Sequence, residues 1–180
     1  MRKEIRISGF GGQGIVLAGY LIGKAITLYE GLEAVMTQSY GPEARGGASS
    51  ANIVVADRPI DYPFVQKADV LVALSQEAYA KYRDKTSTEA ILFHDVNLVT
   101  IESADKGFGV PASSIAEELG RRIVANVVML GAFAAHTKLA SKEALIQALQ
   151  STVKEKTLSM NLEAFEAGYA YVGETEQNNE

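Results

Sequence analysis

Six residues, Gly9-Phe10-Gly11-Gly12-Gln13-Gly14, constrain this chain more than any other stretch. They follow a short strand pattern, in which Ile5 and Ile7 alternate with Arg6 and Ser8, and lead directly into an apolar run from Ile15 to Ile26. Strand, glycine loop, helix is the order in which an α/β sheet offers bare backbone N–H groups to an anion, at the positive end of a helix dipole. The same glycines also suit a tight turn and close packing of helix on strand, with no ligand at all. The G-x-G-x-x-G spacing in this context favours a phosphate-bearing ligand, held by Gly9, Gly11, Gly12, Gln13 and Gly14.

Binding of NAD would require an acidic residue at the end of the second strand to hold the ribose hydroxyls. That strand reads as residues 34–38 and ends in Thr37 and Gln38, with Glu33 at the opposite end. The pattern therefore keeps a phosphate cradle and loses the nicotinamide signature.

The loop after this strand, residues 39–50, is the second unusual stretch. Pro42 and the glycines exclude a regular element, and ligands of open α/β sheets bind where such loops leave the strand ends. Arg45, between Ala44 and Gly46, offers a bidentate donor for phosphate or carboxylate, while Ser39, Tyr40 and Ser49 offer neutral hydrogen bonds. A surface excursion with Arg45 paired to Glu43 would look the same in sequence.

Strands are expected at 51–56, 69–74 and 90–94, with Ile60, Tyr62, Phe64 and Val65 packing a short crossover around Pro63. Ser75 should cap a helix through Tyr82. Residues 96–109 read as irregular. Ser113 or Ser114 should cap a helix through Leu119, Asn126 one over 127–136, and Ser141 should open another through Val153. The last helix is expected at 161–171. Gly19 and Gly23 on the first helix permit close approach to a neighbour. These elements give one Rossmann-like three-layer α/β domain over 1–172, with a mostly parallel central sheet and helices on both faces, and a disordered tail from 173 to 180.

Composition removes several chemistries. There is no cysteine, so the chain cannot ligate an iron–sulfur cluster through thiolates or supply a thiol nucleophile, and with two histidines no His-rich metal site is expected. His94-Asp95 at a strand end has no nucleophile to complete a relay, so no catalytic residue and no metal ligand is assigned. The net charge of -5 argues against nucleic acid. Met1-Arg2-Lys3-Glu4 leads into a strand and not an apolar leader, and no apolar run reaches bilayer length, so a cytoplasmic protein with no membrane contact is expected.

Four stretches together are similar to the gamma subunit of 2-oxoacid:ferredoxin oxidoreductases, most of all the 2-oxoglutarate (ketoglutarate) type. They are Gly9 to Gly14, Gln38 to Gly47, Asn126-Val-Val-Met-Leu-Gly at 126–131 and Asn161-Leu-Glu-Ala-Phe-Glu-Ala-Gly at 161–168. The resemblance implies a complex that oxidatively decarboxylates a 2-oxoacid to an acyl-CoA and passes electrons to ferredoxin. It implies alpha and beta partners, with a delta subunit in some complexes, and places thiamine diphosphate, its Mg and the iron–sulfur clusters on those partners. The gamma-type domain is then the CoA contributor. Gly11, Gly12, Gln13 and Gly14 would bind a CoA phosphate, and Arg45 with the Ser39–Tyr40 edge another polar part of it or a partner subunit. A pure assembly subunit with no nucleotide site is the alternative, and a free-standing NAD-binding Rossmann protein ranks behind it; an isolated chain with its partner surface bare could pair with itself as a homodimer.

Overall fold

A computed structural model describes residues 1–39 and 48–177. Its centre is a six-stranded sheet of β1 (Arg2–Phe10), β2 (Glu33–Ser39), β3 (Ala48–Ala56), β4 (Ala68–Ala73), β5 (Thr86–Asp95) and β6 (Gly107–Val110), in the order β2-β3-β1-β4-β5-β6. β1, β4, β5 and β6 pair in parallel, and β3 runs antiparallel to both its neighbours. The expected mostly parallel sheet is present, with one change of consequence. β3 separates β2 from β1, so the tip of β2 stands two strand spacings, roughly 10 Å, from the strand that carries the glycine loop. This explains why the end of β2 carries no ribose-binding acid.

Among the described residues six α-helices cover the sheet: α1 (Ile15–Tyr29), α2 (Gln76–Tyr82), α3 (Ala112–Glu118), α4 (Ala125–Thr137), α5 (Lys142–Gln150) and α6 (Glu155–Gln177). The main core packs α1 and α3–α6 against Ile5, Ile7, Ile53, Val55, Val70, Val72 and Phe93. On the other face α2 sets Tyr79 and Tyr82 over Leu71, Ala73 and Leu92, joined by Val99 of the loop after β5. That second face is polar along β1. Arg6 is 6% exposed, donates from Nε to Asn52 Oδ1 at 2.7 Å and from Nη2 to the carbonyl of Val65, and lies over the Tyr82 ring. β1 is thus buried on both faces, Ile5 and Ile7 on one and Arg6 and Ser8 on the other.

The glycines of α4 and α6 fix how those helices cross. A Cβ at Gly131 would overlap the carbonyl oxygen of Phe165 and stand 2.8 Å from Tyr169 N, and one at Gly168 would overlap the carbonyl of Val128. The two backbones touch because neither residue has a side chain. On α1, Gly19 faces Ala51 and Met36 as the spacing suggests, whereas Gly23 has nothing within 4 Å of its Cβ position.

Several local expectations change. β6 lies inside the stretch read as irregular, because Gly107 and Gly109 conceal a strand. A Cβ at Gly107 would lie 3.0 Å from His94 Cδ2, and one at Gly109 3.3 Å from His94 Nε2, so both glycines make room for a buried imidazole. Tyr62 and Phe64 do not pack a crossover; they are exposed and meet edge to face. Ser75 and Ser141 cap α2 and α5 as expected, accepting from the N–H groups of Ala78 and Ala144. Ser113 lies inside α3 instead of capping it, and Asn126 is the second residue of α4. Neither caps its own helix, because each side chain is engaged by another element. α6 begins at Glu155 and continues through Gly173 to Gln177, five residues beyond the expected tail boundary.

Candidate functional site

The glycine loop closes with Gln13. Its N–H donates to the carbonyl of Phe10 at 3.2 Å, its Oε1 accepts from the Phe10 N–H at 2.6 Å, and its Nε2 donates to the carbonyl of Leu74 at 2.8 Å. The Gln13 side chain is thus a brace between the loop and the end of β4. The glycines divide by cause. A Cβ at Gly9 would stand 2.9 Å from Ile15 Cδ1 and 3.1 Å from Leu74 Cβ, so Gly9 serves packing. Gly14 has φ of 71°, and a Cβ there would stand 2.8 Å from Cγ of Asn126, whose Nδ2 donates to the Gly14 carbonyl at 3.1 Å. Gly12 has φ of 95°, a backbone only glycine adopts without strain.

Gly11 has neither reason. Its φ is not positive, and no atom lies within 4 Å of its Cβ position. Among the described residues, the N–H groups of Gly11, Gly12 and Gly14 make no hydrogen bond; the first amide to bond back into α1 is Ala18, to the Gly14 carbonyl at 3.0 Å. A helix begins here with its leading donors unpaired and the loop before it bare.

Beside the loop is a cavity of about 290 Å³ at the carboxyl edge of the parallel strands. Gly12, Gln13, Leu74, Asp95, Arg122 and Asn126 are among its lining residues, as are Leu98, Ser113, Ile123 and Ala125. Two helix starts, those of α1 and α4, meet at this cavity, and Asn126 ties them together. The buried carboxylate of Asp95 is fully engaged: Oδ1 accepts from Asn97 N–H and Ser113 Oγ, and Oδ2 from Ser113 N–H at 2.8 Å. Asp95 therefore caps α3 from another strand, which is why α3 starts after Pro111 with no cap of its own.

His94 does not form a dyad with Asp95. Its Nδ1 donates to the carbonyl of Val99 at 3.2 Å, and burial pushes the imidazole below its ordinary pKa, against the opposing effects of that hydrogen bond and of Asp95. His136 meets the Phe93 ring edge to face and lies tilted against Phe108. Neither histidine lines the cavity.

The remaining residues named from sequence separate. Ser39 is exposed at the tip of β2, opposite Ser50, and is not brought to the cavity. Tyr40 and Arg45 lie outside the described residues. The return limb of that loop does arrive beside the glycine loop, since Ala48 pairs with Phe10 and Ser49 with Gly9. Arg122, Asp95, Ser113 and Asn126 were missed as site residues. Only Asn126 carried a signal, as the head of the 126–131 motif. Among the described residues no group of histidines and acids could hold a metal ion, and no helix is long and apolar enough to cross a membrane.

Comparison with known proteins agrees over nearly the whole chain. The sequence model of the pyruvate ferredoxin/flavodoxin oxidoreductase family matches residues 4–171. The 2-oxoglutarate synthase subunit KorC of Methanocaldococcus jannaschii is 49% identical over 174 residues, which cover 94% of this chain and 93% of that one. The crystal structure of the gamma subunit of a keto/oxoacid ferredoxin oxidoreductase from Geobacter sulfurreducens superposes with a TM-score of 0.86 at 40% identity, covering 94% of this chain and 95% of that chain. The 2-oxoglutarate:ferredoxin oxidoreductase of Magnetococcus marinus, solved with 2-oxoglutarate, coenzyme A and succinyl-CoA bound, superposes with a TM-score of 0.84 at 26% identity. That match covers 96% of this chain but 31% of the longer one.

Proposed function

The chain belongs to the pyruvate ferredoxin/flavodoxin oxidoreductase family, as the gamma subunit of a 2-oxoglutarate:ferredoxin oxidoreductase complex, and from that premise we propose that it binds coenzyme A for the complex through its glycine loop. The carrying observation is the set of unpaired N–H groups at Gly11, Gly12 and Gly14, at the start of α1 and beside an open cavity. Such amides, with the helix dipole behind them, suit a diphosphate. Gln13 then contributes through the shape it imposes on the loop, since its side chain is already bonded at both ends. Gly9 and Gly14 hold the loop against Ile15 and Asn126 in the same way.

Positioning is the catalytic contribution of this chain. A nucleotide fixed at the loop leaves the pantetheine arm to reach the acyl group on the partner subunits, and fixing one reactant lowers the entropic cost of the transfer. Thiamine diphosphate, its Mg and the iron–sulfur clusters belong to the alpha, beta and delta partners, which also pass electrons to ferredoxin; the absence of cysteine here supports this for the clusters. Assembly with those subunits is the second role. Phe10, Val96 and Ile123 are exposed large apolar residues at the carboxyl edge of the sheet, as a subunit contact requires. For Ser39, Tyr40 and Arg45 the family resemblance of the 38–47 stretch supports the same subunit contact, or a further polar part of CoA.

Calorimetric titration of the reconstituted complex and of the isolated chain tests the proposal, with CoA, desulfo-CoA and NAD as ligands. Saturable binding of CoA and desulfo-CoA, with none of NAD, is expected for the complex. Binding to a complex lacking this subunit with unchanged affinity would refute it.

A further inference from the structure

The cavity has a second polar wall that the glycine loop does not account for. Arg122 lines it from a short 3-10 turn, Arg122–Val124, that runs directly into α4. The turn is braced: Val124 N–H donates to the Arg121 carbonyl at 3.1 Å, and Ala125 N–H to that of Arg122. The backbone at Arg122 is thereby fixed, while its side chain is 64% exposed. Its ion partner among the described residues is Glu117 on α3, with Nε 3.5 Å from Oε1, and Glu117 is itself 57% exposed. A pair this open to solvent is held weakly. It also engages only Nε, leaving the Nη1 and Nη2 fork, the geometry that grips a phosphate, without a partner among the described residues. Asp95, the carboxylate lining the cavity, is already bonded at both oxygens and does not compete for it.

Leu74 and Leu98 also line the cavity, as does the largely exposed Ile123. The ribose of CoA carries a diphosphate at its 5′ position and a separate phosphate at its 3′ position, with an adenine base whose flat face stacks on apolar side chains. A cavity lined by Gly12, whose amide is bare like those of Gly11 and Gly14 beside it, together with the Arg122 guanidinium and the apolar side chains of Leu74 and Leu98, matches that headgroup. At about 290 Å³ it is too small for the entire cofactor, so the pantetheine arm must leave over the rim.

From this geometry we infer that Arg122 holds the 3′-phosphate of CoA, and that Glu117 is its counter-ion in the absence of ligand. The inference rests on the CoA reading above and makes this subunit the place where the complex distinguishes CoA from dephospho-CoA. The phosphate displaces Glu117 because a dianion accepting two charge-assisted hydrogen bonds outcompetes a single exposed contact.

The test is the dissociation constant and KM of the reconstituted complex for CoA and for dephospho-CoA, with wild type, Arg122→Ala, Arg122→Lys and Glu117→Gln. Wild type is expected to prefer CoA by about tenfold or more, the value of a charge-assisted phosphate contact. Arg122→Ala should bring that ratio close to one by weakening CoA alone, with kcat retained, and Arg122→Lys should restore part of it. Glu117→Gln should tighten CoA and leave dephospho-CoA unchanged. Equal weakening of both ligands by Arg122→Ala, an unchanged ratio, no preference in wild type, or dissociation of the complex on gel filtration would each overturn the assignment. Failure of the CoA reading itself looks different: blocking the loop with Gly11→Val would then leave both affinities intact.

Discussion

Replacing Gly11 by alanine separates a loop made of glycine for packing from one made of glycine for a ligand. A Cβ at residue 11 meets nothing within 4 Å, and φ there is not in the left-handed region, so the folded state has room for it. The unfolded chain loses freedom instead, which stabilises by about 0.4–1 kcal/mol. At about 2–4 °C per kcal/mol for a chain of this size, the melting temperature should hold or rise slightly. Gly14→Ala is the contrasting case. It meets a left-handed backbone costing about 1–2 kcal/mol and an overlap with the Asn126 amide costing about 1–3 kcal/mol, so it should unfold markedly earlier. For ligand, the order reverses. A methyl group over the Gly11 amide keeps a phosphate oxygen out of hydrogen-bond range, and losing one charged contact costs about 1.5–3 kcal/mol, or roughly ten- to a hundredfold in CoA affinity. Thermal unfolding of each variant and the CoA KM of the reconstituted complex read the two effects separately. A Gly11→Ala subunit with wild-type stability and a wild-type KM for CoA would refute the reasoning, because glycine at 11 would then serve neither purpose.

Three further outcomes follow from the same contacts. Gln13→Ala removes the partners of the Phe10 N–H and the Leu74 carbonyl, so urea unfolding should show a loss of about 1–3 kcal/mol, together with a raised CoA KM. Gly168→Ala puts a methyl group into the Val128 carbonyl; α4 and α6 must separate, and calorimetry should show a loss of about 3 kcal/mol or more, or no folded chain. The buried imidazole of His94 titrates below its ordinary value of 6.5, chiefly because burial disfavours the charged form. Below 6.5 the unfolded chain takes up the proton first, so the contribution of His94 is present above 6.5 and is lost as pH falls through the depressed folded pKa. Stability should fall across that window, and His94→Gln should flatten the fall; an unchanged slope would contradict the assignment.

The parts of the fold that were legible in sequence are those with local causes. The strand-loop-helix order at 1–29, the caps at Ser75 and Ser141, and the alternation of Ile5 and Ile7 each depend on residues within a few positions of one another. What stayed hidden depends on distant partners. The insertion of β3 between β1 and β2 follows from pairings such as Ile5 with Ile53, and no local pattern encodes that strand order. Ser113 reads as a cap until Asp95, 18 residues earlier, takes its N–H and hydroxyl. Asn126 likewise reaches Gly14 across 112 residues. β6 was unreadable because its glycines answer to the ring of His94 and not to a turn. In the candidate site, glycine spacing revealed one wall. The other wall, Arg122, is one of two adjacent arginines, and only the turn before α4 decides which faces the cavity.

Hydrogen–deuterium exchange of the reconstituted complex with and without CoA tests the central claim most directly. The account predicts that CoA slows exchange of the amides of residues 9–17, with a second protected stretch at 121–127 around Arg122 and Asn126. Protection confined to the other subunits, with both stretches of this chain exchanging as before, would contradict it.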